Sequence, residues 1–147
     1  MSTSDTSIRA PRKHIRKTTA AYLALSLLAV AVNYVYGLFG HGVHSGYMTW
    51  MFLYPLLGGA VFYNLISLAI PGAIRVSRYR MFFNTYNSGI AALTVGSFLK
   101  GILYIAGTDS AYTSYFDAAG WMLVAAGIIV LLSIVIRYRK RLGPIRL

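Results

Sequence analysis

The chain has 147 residues, of which 57% are hydrophobic and only 12% charged, with no Glu and three Asp. A soluble domain needs roughly a quarter of its residues charged to cover its surface, so this composition excludes one and points to lipid. The net charge of +11 falls in three short clusters rather than one stripe, which argues against a nucleic-acid surface, and the lack of Cys excludes disulfides, a thiolate metal site and a cysteine nucleophile.

The first seventeen residues form a basic tail, Ser/Thr-rich at its start, in which no regular structure is expected. Four apolar runs follow, at about 18–39, 49–70, 81–106 and 118–136, and residues 137–147 form a second basic tail. A hydrocarbon core of ~30 Å takes ~20 helical residues, and lipid obliges the backbone to satisfy its own hydrogen bonds. The predicted fold is therefore all-α, an integral membrane four-helix bundle. Pro55 is expected to bend the second span, and Pro71 with Gly72 to end it.

The connectors set an expected orientation. Arg9, Arg12, Lys13, Arg16 and Lys17 precede the first span; Arg75, Arg78 and Arg80 lie between the second and third; Arg137, Arg139, Lys140, Arg141 and Arg146 follow the fourth. The other two connectors, 40–48 and 107–117, hold no Lys or Arg, and the second carries Asp109 and Asp117. The positive-inside rule then places both termini in the cytoplasm and the protein in the cell membrane. The first run also carries the triplet Ala29-Val30-Ala31 behind a basic lead, as a signal peptide does. Its continuation through Val32, Val35 and Leu38 is too long for such a segment, so an uncleaved span is expected. The implied partners are the bilayer, anionic lipid headgroups at the basic tails, and other membrane subunits or further copies of the chain.

The first span carries Asn33, and the connector behind it holds His41 and His44, with Met48 and Met51 close behind. On a helix His41, His44, Met48 and Met51 would share a face, and imidazole with thioether suits copper, imidazole alone zinc or haem iron. The glycines at 40, 42 and 46 oppose such a helix, so no cofactor is expected, with haem or copper as the alternative. Trp50 opens the second span and Trp121 the fourth, and Tyr34, Tyr36, Tyr47, Tyr54, Tyr104, Tyr112 and Tyr115 share their level. These aromatics read as an interfacial belt or as the wall of an outward-facing pocket.

Within the spans, Gly58, Gly59 and Ala60, then Ser88, Ala92 and Gly96, then Ala119, Ala126 and Ser133 offer small faces for close helix approach. Asn64, Asn84 and Asn87 need amide partners there and read mainly as interhelical contacts. Lys100 is the one cation inside a run and, in lipid, the foremost functional candidate. It lies ~9 Å from the end of its span at 1.5 Å per residue, within reach of snorkelling or of a pair with Asp109 or Asp117.

Three functions compete. A non-enzymatic subunit or accessory component of a larger membrane complex is favoured by the short loops and the packing faces. A homo-oligomeric small-molecule transporter or binder would use an outward-facing site at Lys100, Tyr104, Tyr54, Trp50 and Asn64. A redox subunit would use His41 and His44 for haem, metal or quinone contact. No catalytic constellation is present in the sequence.

Overall fold

The computed structural model describes residues 4–40, 42–69 and 78–142. All regular structure among them is helical: α1 (Ser4–Phe39), α2 (Gly46–Trp50), a π-helical segment (Tyr54–Val61), α3 (Phe62–Ala69), α4 (Tyr79–Ile105) and α5 (Thr113–Leu142). Four stretches are long and apolar enough to cross a membrane: Ile15–Phe39, Gly46–Ala69, Tyr79–Ile105 and Thr113–Tyr138. They match the four predicted spans. His41, Pro71, Gly72, Arg75 and Arg146 lie outside the described residues.

Two boundaries differ from expectation. The N-terminal tail is helical from Ser4, because a span that has already nucleated extends backward at one hydrogen bond per residue fixed. The fourth span begins at Thr113, a turn before Ala118, because Ser110 and Ala111 carbonyls accept the Thr113 and Ser114 amides and wind the entry turn.

The second span is not one regular helix. Pro55 has no N–H to donate and its ring would strike the carbonyl four residues back. The chain responds with a wider π-helical segment that buries Pro55, then returns to α geometry at Phe62. This places Gly58 against Ile90 of α4 and Gly59 flat beneath the Tyr22 ring of α1. Consecutive residues thus face two different neighbours.

Successive spans run antiparallel, so the chain has two ends. Arg16, Lys17, Arg78, Arg80, Arg137 and Lys140 are exposed at one, the basic end. The loops 42–45 and 106–112 lie at the other, the loop end. Each loop turns on a glycine in the left-handed region. At Gly42 (φ 86) the Val43 amide closes on the Gly40 carbonyl at 2.8 Å. At Gly107 (φ 68) the Thr108 amide reaches Leu103 and the Gly107 amide reaches Tyr104, a Schellman closure that uses the last carbonyls of α4.

The α4/α5 pair makes the most extensive helix contact. Its seam is Gly89 and Gly96 on α4 against Gly120 and Gly127 on α5. A Cβ on Gly89 would stand 2.7 Å from the Val124 amide nitrogen, and one on Gly120 would stand 2.6 Å from Leu93 Cγ. Of the small faces predicted on these two helices, Gly96 lies in the seam. Ser88 and Ala126 are exposed, and the seam follows the glycines because only they admit the facing backbone.

Lipid is as apolar as leucine, so burial of aliphatic side chains drives little association here. The main core adds a cluster of aromatic rings to aliphatics such as Ile66, Leu131 and Ile134. Phe62 stacks on Tyr86 with centroids 4.4 Å apart, and Tyr22, Tyr63, Tyr79 and Phe82 join the cluster. Its polar centre is Asn87, whose Oδ1 accepts the hydroxyls of Tyr22 (2.7 Å) and Tyr63 (2.5 Å). One carboxamide thereby links α1, α3 and α4. A second cluster toward the loop end joins Ala29, Met48 and Met51.

Candidate functional site

The features that could bind or react converge on one turn of α4, residues 96–101, where two other helices meet it. Gly101 has no side chain, so Met48 of α2 can lie against the α4 backbone; a Cβ there would stand 2.7 Å from Met48 Cβ. Ser97 Oγ donates to the Tyr47 carbonyl at 2.8 Å and pins the short α2 to α4. On the other flank Gly96 admits Phe116 of α5 and brings Asp117 alongside.

Lys100 sits between these contacts. Its Nζ is bonded to the Asp117 carboxylate on α5 and lies 5.6 Å from the centroid of the Tyr47 ring. A cation at that distance is attracted by the ring quadrupole. Lys100 is mostly covered and Asp117 is about twice as exposed, with 20% and 39% of their side-chain surface accessible. The ammonium inside the third span is therefore compensated by a carboxylate and an aromatic face, and it ties α2, α4 and α5 together.

Beside Tyr47 lies an open cavity of about 450 Å³ lined by Gly46, Tyr47, Trp50, Leu53, Tyr54 and Ser97. Pockets that hold small ligands run ~300–1,000 Å³ and combine apolar walls with a few fixed polar groups. Ser97 and the α2 backbone supply such groups here. Lys100 meets this cavity through Tyr47 rather than lining it.

The residues singled out from sequence are thus divided. Trp50 and Tyr54 share the cavity, and Lys100 abuts it through Tyr47. Tyr104 is exposed one turn beyond Lys100. Asn64 lies in the basic-end half, where its amide donates to Thr19 Oγ1 (3.2 Å) and to the Ala60 carbonyl (2.7 Å). Asn33 accepts from Thr49 at 3.4 Å. Met48 is buried in the loop-end core, whereas His44 is exposed with its ring beside Gly37. Among the described residues no three His, Asp or Glu side chains form a metal-binding group. Tyr34, Tyr112, Tyr115 and Trp121 are exposed at the loop end, as a belt requires, while Tyr47, Trp50 and Tyr54 form the pocket wall.

Sequence reasoning did not single out Ser97 and Gly101. Both are small residues flanking Lys100, and that juxtaposition was the available clue. A second groove was not foreseen. It also measures about 450 Å³, runs between α1 and α4, is floored by Met51 and Pro55, and ends at Tyr22 and Asn87. No protein-family profile, no curated protein and no solved structure matches this chain.

Proposed function

We propose that this chain is a non-enzymatic subunit or accessory component of a larger membrane complex, seated in the cell membrane with both termini cytoplasmic. One observation carries the reading: the first span is held on one side only. Its apolar window is 17% buried, about half the 33% of the second and third spans. Its main neighbour is the second span. Leu23, Leu27, Val30, Tyr34 and Leu38 are exposed along one face at spacings of three and four, the spacing at which a neighbouring helix interdigitates. The exposed cations at the basic end support the cytoplasmic orientation.

The test is mild extraction of the full chain from its native membrane, followed by mass spectrometry of the intact assembly. Other membrane proteins in fixed ratio are expected, and Leu23→Ala with Leu27→Ala should release them. A clean monomer or homodimer would overturn the proposal.

The cavity at Trp50 and Tyr54 favours a second reading, a homo-oligomeric binder or transporter of a small molecule. Under that reading a ligand that raises the unfolding temperature of the wild type should fail to do so in Trp50→Ala.

A further inference from the structure

We infer that the groove between α1 and α4 is a binding site for one anionic phospholipid, its acyl chain lying in the groove and its phosphate held by Lys17 and Arg80. The walls are apolar side chains, among them Leu25 and Leu28 of α1 and Val95 and Phe98 of α4. Leu25, Leu28 and Val95 are exposed, so the groove opens sideways to whatever surrounds the helices. In a bilayer that is acyl chain. From Tyr22 to Val32 the α1 wall rises about 15 Å at 1.5 Å per residue, a length suited to a single chain rather than to a whole helix crossing the membrane.

The charge at the basic end decides which lipid. On α4 the groove stripe runs Asn87, Ala91, Thr94, Phe98 at alternating steps of four and three, and the same stripe continues downward through Asn84 to Arg80. On α1 the stripe Leu25, Leu28, Val32 continues downward through Ala21 to Lys17. Lys17, Arg80 and Asn84 are all exposed. Two cations from two helices thus stand on the lines that lead into the groove, at the level where a phosphate would sit.

The polar groups above them suit the ester region. Asn84 lies about 6 Å above Arg80 along the axis. Asn87 has both lone-pair sites of its oxygen occupied by the Tyr22 and Tyr63 hydroxyls, so what its carboxamide offers the groove is the NH2 donor. Phosphate acceptors meet cations, ester carbonyls meet amide donors and the chain meets the apolar walls. A zwitterionic lipid carries the same phosphate, but its own ammonium offsets that charge and weakens the first of these contacts.

The test is native mass spectrometry of the full chain in detergent micelles doped with phosphatidylglycerol or with phosphatidylcholine. The wild type is expected to retain one phosphatidylglycerol about thirtyfold more tightly than phosphatidylcholine, the preference two surface cations supply. The double variant Lys17→Gln, Arg80→Gln should bind both lipids equally. Ala91→Trp, which fills the groove from an exposed position, should retain neither, while Leu132→Trp on the exposed face of α5 should behave as wild type. Unfolding temperatures measured on the same preparations report whether each variant is folded. Equal affinity of the wild type for the two lipids would overturn the inference. So would phosphatidylglycerol retention that survives Ala91→Trp, which would mark surface attraction alone, or a protein chain photo-crosslinked from position 91 in native membranes, which would mark a partner helix as the occupant.

Discussion

Lys100 on α4 is bonded to Asp117 on α5 while its ammonium stands over the Tyr47 ring of α2. A cation that would be costly alone in a span is here the joint of three helices. Exposed ion pairs contribute ~0–1 kcal/mol, whereas breaking a buried one costs ~3–5 kcal/mol. This partly exposed pair lies between those limits.

Removing one partner should therefore cost more than removing both. Lys100→Met and Asp117→Asn are each expected to destabilise the protein by about 1–3 kcal/mol, because each strands the other's charge or polar group. The double variant Lys100→Met, Asp117→Asn should recover most of that loss. A double-mutant cycle on reversible unfolding in mixed micelles measures the coupling, and additive losses would show that the two groups act independently.

The glycines separate by what a side chain would strike. At Gly89 an added Cβ meets the α5 backbone, which cannot turn aside, whereas at Gly46 nothing lies within 4 Å. Gly89→Ala should lower stability by about 1–3 kcal/mol, the usual range for overpacking, and Gly46→Ala should leave it nearly unchanged. Thermal unfolding of the two variants side by side is the measurement.

Asn87 accepts two tyrosine hydroxyls, so its replacement should be felt on three helices. Asn87→Leu leaves the Tyr22 and Tyr63 hydroxyls unpaired, at about 1–3 kcal/mol for buried groups. Interhelical bonds in membranes average ~0.6 kcal/mol, so Tyr22→Phe alone should cost less than 1 kcal/mol. Adding Tyr22→Phe and Tyr63→Phe to Asn87→Leu should restore part of the loss, because no orphaned hydroxyl then remains. The readout is again unfolding in micelles.

The absence of cysteine makes the proposed orientation directly testable. Tyr112→Cys places a thiol at the loop end, where Tyr112 is exposed, and Lys140→Cys places one at the basic end, where Lys140 is exposed. In intact cells a membrane-impermeant maleimide should label the first and not the second, and permeabilisation should make both react. The opposite pattern would invert the topology.

Much of the architecture was legible because its cause is local. Hydropathy over twenty or so residues, with the demand that lipid places on the backbone, yields four helices whatever their neighbours. Pro55 marks where one of them departs from α geometry, though not that the departure would be a π-helical segment. The site was legible only as its ingredients. Lys100 and Asp117 are both visible in the sequence, but choosing Asp117 over Asp109 depends on how closely α5 approaches α4, and Gly96 and Gly120 determine that approach. Trp50 and Tyr54 separate from the other loop-end aromatics only because Ser97 fastens α2 to α4.

By itself the sequence determined that the chain enters lipid as four helices, because apolar length and backbone hydrogen bonding leave no other outcome there. Only the tertiary structure decided which helices touch. In lipid the apolar side chains have little preference for one another, so pairing follows from glycines that admit a neighbouring backbone, aromatic rings that stack and a few polar groups that must find partners. Those three determinants close α4 upon α5, hold α2 beside Lys100, and leave α1 standing off far enough to form a groove.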